Sequence, residues 1–162
     1  MLIYDLNKLE TEEAVNELKN LLETTKDLDI SILANNAGVL HFGRLGDKDI
    51  EDLQCMINVN VNAQTYMSIL MLPRLLNRSH RSAVINLSSK AAFYTRGAMP
   101  MYCATKRYNY ALSACMQDSY SDRLDIMTVT PASVTSGMNP GTGAYNVQPE
   151  EHAKAVVDHL GR

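Results

Sequence analysis

The sequence predicts an α/β fold: a Rossmann-like parallel sheet between helices, in three α/β/α layers. Two observations carry this. Short, continuous, β-branched runs alternate with longer segments whose apolar residues recur at helical spacing. The runs also end in polar or glycine-bearing residues: Asp5, Asn35 to Gly38, Ser88-Ser89 and Pro131 to Ser136. Strands of a parallel sheet are buried on both faces and so read as unbroken apolar runs, and such sheets bind ligands outside the carboxyl ends of their strands. The order is β-α-β-α-α-β-α-β-α in one domain, 1–162, without repeats or linkers.

Leu2-Ile3-Tyr4 reads as the last half of a buried strand, with Asp5 at its carboxyl end. Thr11 to Thr25 is a helix with Ala14, Val15, Leu18, Leu21 and Leu22 on one face and acids in the first turn, where the helix dipole favours them. Asp27-Leu28-Asp29 breaks it. Ile30 to Ala34 is the next strand and runs into the turn Asn35-Asn36-Ala37-Gly38. A loop with His41, Gly43 and Gly46 precedes a helix over Asp47 to Ile57, and a long helix covers Val59 to Asn77. Pro73 has no amide proton and is expected to kink or end the last turn of that helix. Ala83 to Leu87 is a buried strand, Tyr102 to Tyr120 a helix, and Asp125 to Thr130 a strand stopped by Pro131. A loop from Ser136 to Val147, with Gly137, Pro140, Gly141 and Gly143, leads to a last helix opening at Pro149-Glu150-Glu151.

With 46% hydrophobic and 20% charged residues and a net charge of -3 of mixed sign, the composition is that of an ordinary globular domain, and no basic stripe points to nucleic acid. No apolar run reaches the length of a membrane span. Cys55, Cys103 and Cys115 are odd in number and lack metal spacing, which fits a reducing, cytoplasmic setting. His41, His80, His152 and His159 fall in loops or on outward helix positions and are expected to be solvated surface, with no metal site.

Tyr102 and Lys106 stand four residues apart on one helix, so their side chains share a face. Ser89 arrives from the end of the preceding strand. A phenol, an ammonium and a hydroxyl can therefore meet as a proton-transfer site. Taken alone, a Tyr-x-x-x-Lys pair is weak, since a chain with eight tyrosines produces one readily by chance. Ser89 and the Asn-Asn-Ala-Gly turn give it weight.

Together these residues resemble the short-chain dehydrogenase/reductase family. Asn35-Asn36-Ala37-Gly38 is similar to its NNAG motif, and Ser89, Tyr102 and Lys106 fall at the spacing of its catalytic serine and Tyr-x-x-x-Lys. Asn60 aligns with the family's fourth catalytic residue when Leu72-Pro73 is the anchor, with Asn58 and Asn62 close beside it. Pro131 to Ser136 resembles the PGxVxT stretch, with Ala132 for its glycine and Ser136 for its threonine, and Asp5 matches the acid after the third strand. The resemblance implies an NAD(P)-dependent oxidoreductase that interconverts a carbonyl and a secondary alcohol. It implies a catalytic tetrad of Asn60, Ser89, Tyr102 and Lys106, with Ser89 and Tyr102 at the substrate. Asp5, Asn35, Ala37, Gly38, Tyr102, Lys106, Pro131, Val134 and Ser136 would surround the dinucleotide, NADP slightly ahead of NAD. Lys106 would lower the pKa of Tyr102 and hold the nicotinamide ribose, while Asn60 supports Lys106 through a water.

Gln148-Pro149-Glu150-Glu151-His152-Ala153-Lys154-Ala155, with Leu160-Gly161 after it, is similar to the 17β-hydroxysteroid dehydrogenase and very-long-chain 3-oxoacyl-CoA reductase branch. That implies a steroid or fatty-acyl substrate and, for a full-length parent, an anchor in the endoplasmic reticulum membrane. In the family, the helices matching Val59–Asn77 and Tyr102–Tyr120 pack on a partner subunit, which implies a homodimer or a dimer with a full-length relative. The family's first β-α-β-α portion and its Gly-rich TGxxxGxG turn are unmatched here, where the first glycine is Gly38. The sheet is thus expected to be incomplete, its first strands missing. Two readings follow: a fragment of a larger reductase, or a shortened, non-catalytic paralogue that acts as an interaction partner of full-length relatives. In both, the chain as written is expected to bind dinucleotides poorly and turn nothing over.

Overall fold

Three parallel strands set the frame, in the order β1 (Ile32–Asn35), β2 (Ser82–Leu87), β3 (Leu124–Val129). The computed structural model describes residues 1–141 and 146–160; Gly143 and Gly161 lie outside the described residues. Leu33 pairs with Val84, and Val84 with Ile126. The helices are α1 (Glu12–Glu23), α2 (Ile50–Ile57), α3 (Ala63–Leu76), α4 (Pro100–Tyr120) and α5 (Pro149–His159). Each parallel step between strands is made through helices, as a parallel crossover requires.

α3 packs on β1 and β2, and α4 on β2 and β3. Their shared core is Leu33, Met71, Leu75, Val84, Met116 and Leu124. Strand residues alternate faces, so Leu33 is buried beneath α3 while Ile32 points the other way and is 48% exposed. A second cluster, Leu9, Leu18 and Ala63, fastens α1 and the amino-terminal segment to the start of α3. Thr11 begins α1 by accepting the Ala14 amide on its side chain.

Leu2-Ile3-Tyr4 is not a strand, which corrects the first element expected. Leu2 and Ile3 are exposed, Tyr4 Oη donates to the Ala14 carbonyl at 2.6 Å, and Asp5 caps a 3₁₀ turn, Leu6–Lys8, by accepting from Asn7 N. β propensity holds a strand only where a neighbour supplies the ladder, and among the described residues β1 pairs with β2 alone. The long helix also divides. Asn58–Asn62 forms a π turn between α2 and α3, and Asn58 Nδ2 and Asn62 Nδ2 donate from it to the Asn7 and Leu9 carbonyls at 2.7 and 2.8 Å. The side-chain bonds anchor the wide turn to the amino-terminal segment. Pro73 neither ends nor breaks α3, which continues to Leu76. The carbonyl it leaves without a helical donor is that of Ile69, a surface residue that water can reach. α4 starts at Pro100, two residues earlier than expected, with proline in the first turn where its missing amide costs nothing. Among the described residues no helix is long and apolar enough to cross a membrane, and no group of His, Cys, Asp and Glu could hold a metal.

Candidate active site

β2 ends in two serines with different roles. Ser88 turns inward, its Oγ donating to the Lys106 carbonyl at 2.6 Å and its amide to the Val129 carbonyl at 2.8 Å. Ser89, in extended backbone, caps the 3₁₀ turn Lys90–Phe93 by accepting from Ala91 N at 3.1 Å. The next amide, Lys90 N, donates to the Pro131 carbonyl at 3.0 Å and so stitches the end of β3 to the Ser89 turn.

α4 carries Tyr102 and Lys106 one turn apart. Lys106 is only 4% exposed; its Nζ donates to the Leu87 carbonyl at 3.0 Å and lies 5.7 Å from the centre of the Tyr102 ring. Asn60, in the π turn, is 1% exposed. Its Oδ1 accepts from Val39 N at 2.8 Å, and its Nδ2 donates to the Val39 carbonyl at 2.9 Å and to Thr105 Oγ1 at 3.1 Å. Gly38 completes the corner: a Cβ there would lie 3.3 Å from Lys106 Nζ and 3.4 Å from Asn60 Oδ1. Gly38, Asn60 and Lys106 thus share one small volume, with Tyr102 and Ser89 beside it.

Burial pulls the Lys106 ammonium down from 10.5 to about 8. Burial also pushes the Tyr102 phenol up, and the neighbouring Ser89 hydroxyl offsets part of that rise. This corrects the expectation that Lys106 would lower the phenol. With a pKa of about 8, Lys106 is already neutral where the phenol titrates, so the loss of water around the phenol prevails.

The remaining sequence candidates scatter. Asn35 turns into the interior, donating from Nδ2 to Asn86 Oδ1 at 2.8 Å and to Ser68 Oγ at 3.2 Å. Asn86 continues to Ser113 Oγ at 3.0 Å, and Thr128 Oγ1 donates to the same oxygen at 2.6 Å, so a polar chain crosses all three strands. The side chain of Asn35 is therefore structural in this fold. Ala37 is exposed in the loop after β1. Asp5 is tied through Asn7 to the π turn. Val134 bridges to Val147, and Ser136 accepts from Asn139 N at 3.2 Å, within a loop of their own. One residue escaped the sequence reading, Thr105, while Ser88, read there as a polar strand end, ties β2 to α4 through the Lys106 carbonyl. A hydroxyl directly before Lys106, three positions after Tyr102, was the available cue for Thr105, whose Oγ1 also donates to the Tyr102 carbonyl at 2.9 Å.

The family profile described as short chain dehydrogenase matches residues 3–146. The chain is 27% identical over 161 residues to "Putative steroid dehydrogenase 1" of Caenorhabditis elegans, covering 93% of this chain and 50% of that protein. It is 31% identical over 161 residues to "Very-long-chain 3-oxooacyl-coA reductase let-767" of Caenorhabditis briggsae, with the same coverage of each. Among solved structures, a blue fluorescent protein from a metagenomic library, in complex with NADPH, superposes with a TM-score of 0.81 at 19% identity, over 97% of this chain and 66% of that one. The chain spans about half the length of the curated relatives it matches.

Proposed function

The chain belongs to the short-chain dehydrogenase family, and on that premise we propose that its site serves an oxidoreductase that interconverts a carbonyl and a secondary alcohol. The observation that carries the proposal is the convergence of Tyr102, Ser89, Lys106 and Asn60 at the ends of β1 and β2. Tyr102 exchanges a proton with the substrate oxygen, and Ser89 orients that oxygen by hydrogen bonding. The raised phenol pKa keeps Tyr102 protonated near neutrality, ready to donate to a carbonyl oxygen. Asn60 fixes the loop holding Gly38 and, through Thr105, the helix holding Lys106.

The residues present fit the nicotinamide-ribose half of a dinucleotide. Lys106 Nζ has N–H groups beyond the one given to Leu87, and the missing side chain at Gly38 leaves its front open. When bound, the cofactor supplies or accepts the hydride. Its identity as NADP ahead of NAD rests on the branch resemblance, and the NADPH held by the solved relative supports a nicotinamide dinucleotide in general. The names of the curated relatives support a lipid substrate, a steroid or a fatty-acyl thioester.

A second reading, docking to another subunit, is favoured by the outer surface of α3 and α4. Ile69, Tyr108 and Tyr110 are exposed there, with Phe93 packed edge-on against Tyr110 at 4.9 Å between ring centres. A homodimer, or a dimer with a full-length relative, would cover them; sedimentation as a monomer at micromolar concentration would argue against it.

The activity is tested by Tyr102→Phe in a chain extended with a relative's amino-terminal segment. Cofactor binding should survive while turnover falls by orders of magnitude. Near-normal turnover would overturn the assignment.

A further inference from the structure

Beside the proton-transfer site, but opening on a different side of α4, lies a cavity of about 420 Å³. Its wall is formed by Tyr94, Arg96 and Gly97 from the loop before α4 and by Pro100, Cys103 and Arg107 from the helix itself. That volume falls within the range of small-molecule sites. Cys103 and Arg107 directly follow Tyr102 and Lys106 in the chain, so the cavity and the proton-transfer site share two turns of α4.

Its charge is one-sided. No lining residue is acidic, and the first turn of α4 has no acid either. Arg107 is held by its Nε, which donates to the Ala92 carbonyl at 2.8 Å and leaves the terminal N–H groups of the fork for another partner. Arg96 lies over the Tyr94 ring, 5.3 Å from its centre. Among the described residues neither arginine makes an ion pair, whereas Arg78 and Arg81 do, with Asp29 and Asp125. Two guanidinium groups without a carboxylate, above walls of proline, cysteine, alanine and tyrosine, complement an anion carried on an apolar body.

We propose that this cavity binds an amphipathic organic anion, its carboxylate or phosphate between Arg96 and Arg107 and its apolar body against Pro100, Cys103 and Tyr94.

The test titrates dodecyl phosphate, below its micelle concentration, into the 162-residue chain, with dodecanoate, dodecanol and inorganic phosphate as parallel arms. Binding is read by calorimetry and by the amide resonances of Gly97, Cys103 and Ala104. Dodecyl phosphate or dodecanoate should move those resonances, and whichever binds more tightly identifies the headgroup. Arg96→Gln with Arg107→Gln should weaken that binding about tenfold or more. Arg96→Gln alone, at an exposed loop position, should weaken it in the same direction. Dodecanol binding as tightly as the anions, no movement at these amides, or an unchanged affinity in both variants would overturn the inference. If the extended chain reduces carbonyls but binds neither anion, this inference alone falls. If the anion binds where predicted and the extended chain turns nothing over, the activity alone falls and the anion site stands.

Discussion

Asn60 donates its side-chain amide to the Thr105 hydroxyl at 3.1 Å, and this bond ties the π turn to the helix that bears Tyr102 and Lys106. Thr105 is buried, and it passes its own proton to the Tyr102 carbonyl at 2.9 Å. One hydroxyl therefore sets the distance between two parts of the site that are far apart in the chain.

Thr105→Val keeps the shape and removes that hydroxyl. Asn60 Nδ2 retains the Val39 carbonyl, so the expected loss is that of one buried hydrogen bond, about 1–2 kcal/mol of unfolding free energy. Urea denaturation measures it. A midpoint unchanged from wild type would show that the bond carries no stability.

Lys106 makes stability depend on pH in a defined direction. Its folded pKa of about 8 lies below the unfolded value of 10.5, so between those values the unfolded chain binds more protons than the folded one. Stability should therefore rise from pH 8 upward, as a desolvated charge is given up. The raised Tyr102 phenol works in the opposite sense above pH 10, and the Cys55 thiol, raised by burial from 9.0, does so within pH 8 to 10, so the comparison of wild type with a lysine variant in that window isolates Lys106. Lys106→Met should flatten the rise in that window. An equal rise in the variant would place its source elsewhere.

Gly38→Ala would put a methyl group 3.3 Å from Lys106 Nζ and 3.4 Å from Asn60 Oδ1. The flexible end of the lysine can yield, so the stability cost should stay near 1 kcal/mol, at the low end for overpacking. The larger effect should fall on the ammonium. Its titration, followed at Nζ by NMR, should move away from the wild-type value. An unmoved titration would mean that Gly38 does not border the lysine in solution.

The 162-residue chain should bind NADH and NADPH weakly. Pyrophosphate is held by backbone N–H groups at a glycine-rich helix start, and no such turn occurs in this sequence, whose first glycine is Gly38. Lys106 and Gly38 face only the other half of a dinucleotide in the proposed arrangement. Calorimetry giving a dissociation constant in the low micromolar range would contradict this.

What was legible in the sequence was local. The spacing of Tyr102 and Lys106 places both on one helix face, the polar residues after Leu87 and Ala34 mark strand ends, and apolar periodicity finds each helix to within a few residues. These features depend on backbone geometry that neighbouring residues set among themselves. Tertiary structure decided the rest. Leu2-Ile3-Tyr4 has the composition of a strand and none of the pairing, because a ladder needs a neighbour that composition cannot supply. Asn35 belongs to the motif at the end of β1 yet turns inward to Asn86, a partner 51 residues away. The direction of the Tyr102 pKa reversed for the same kind of reason. Sequence spacing shows that an ammonium is near, but the loss of water around the phenol depends on everything packed over it, and only the folded chain determines that.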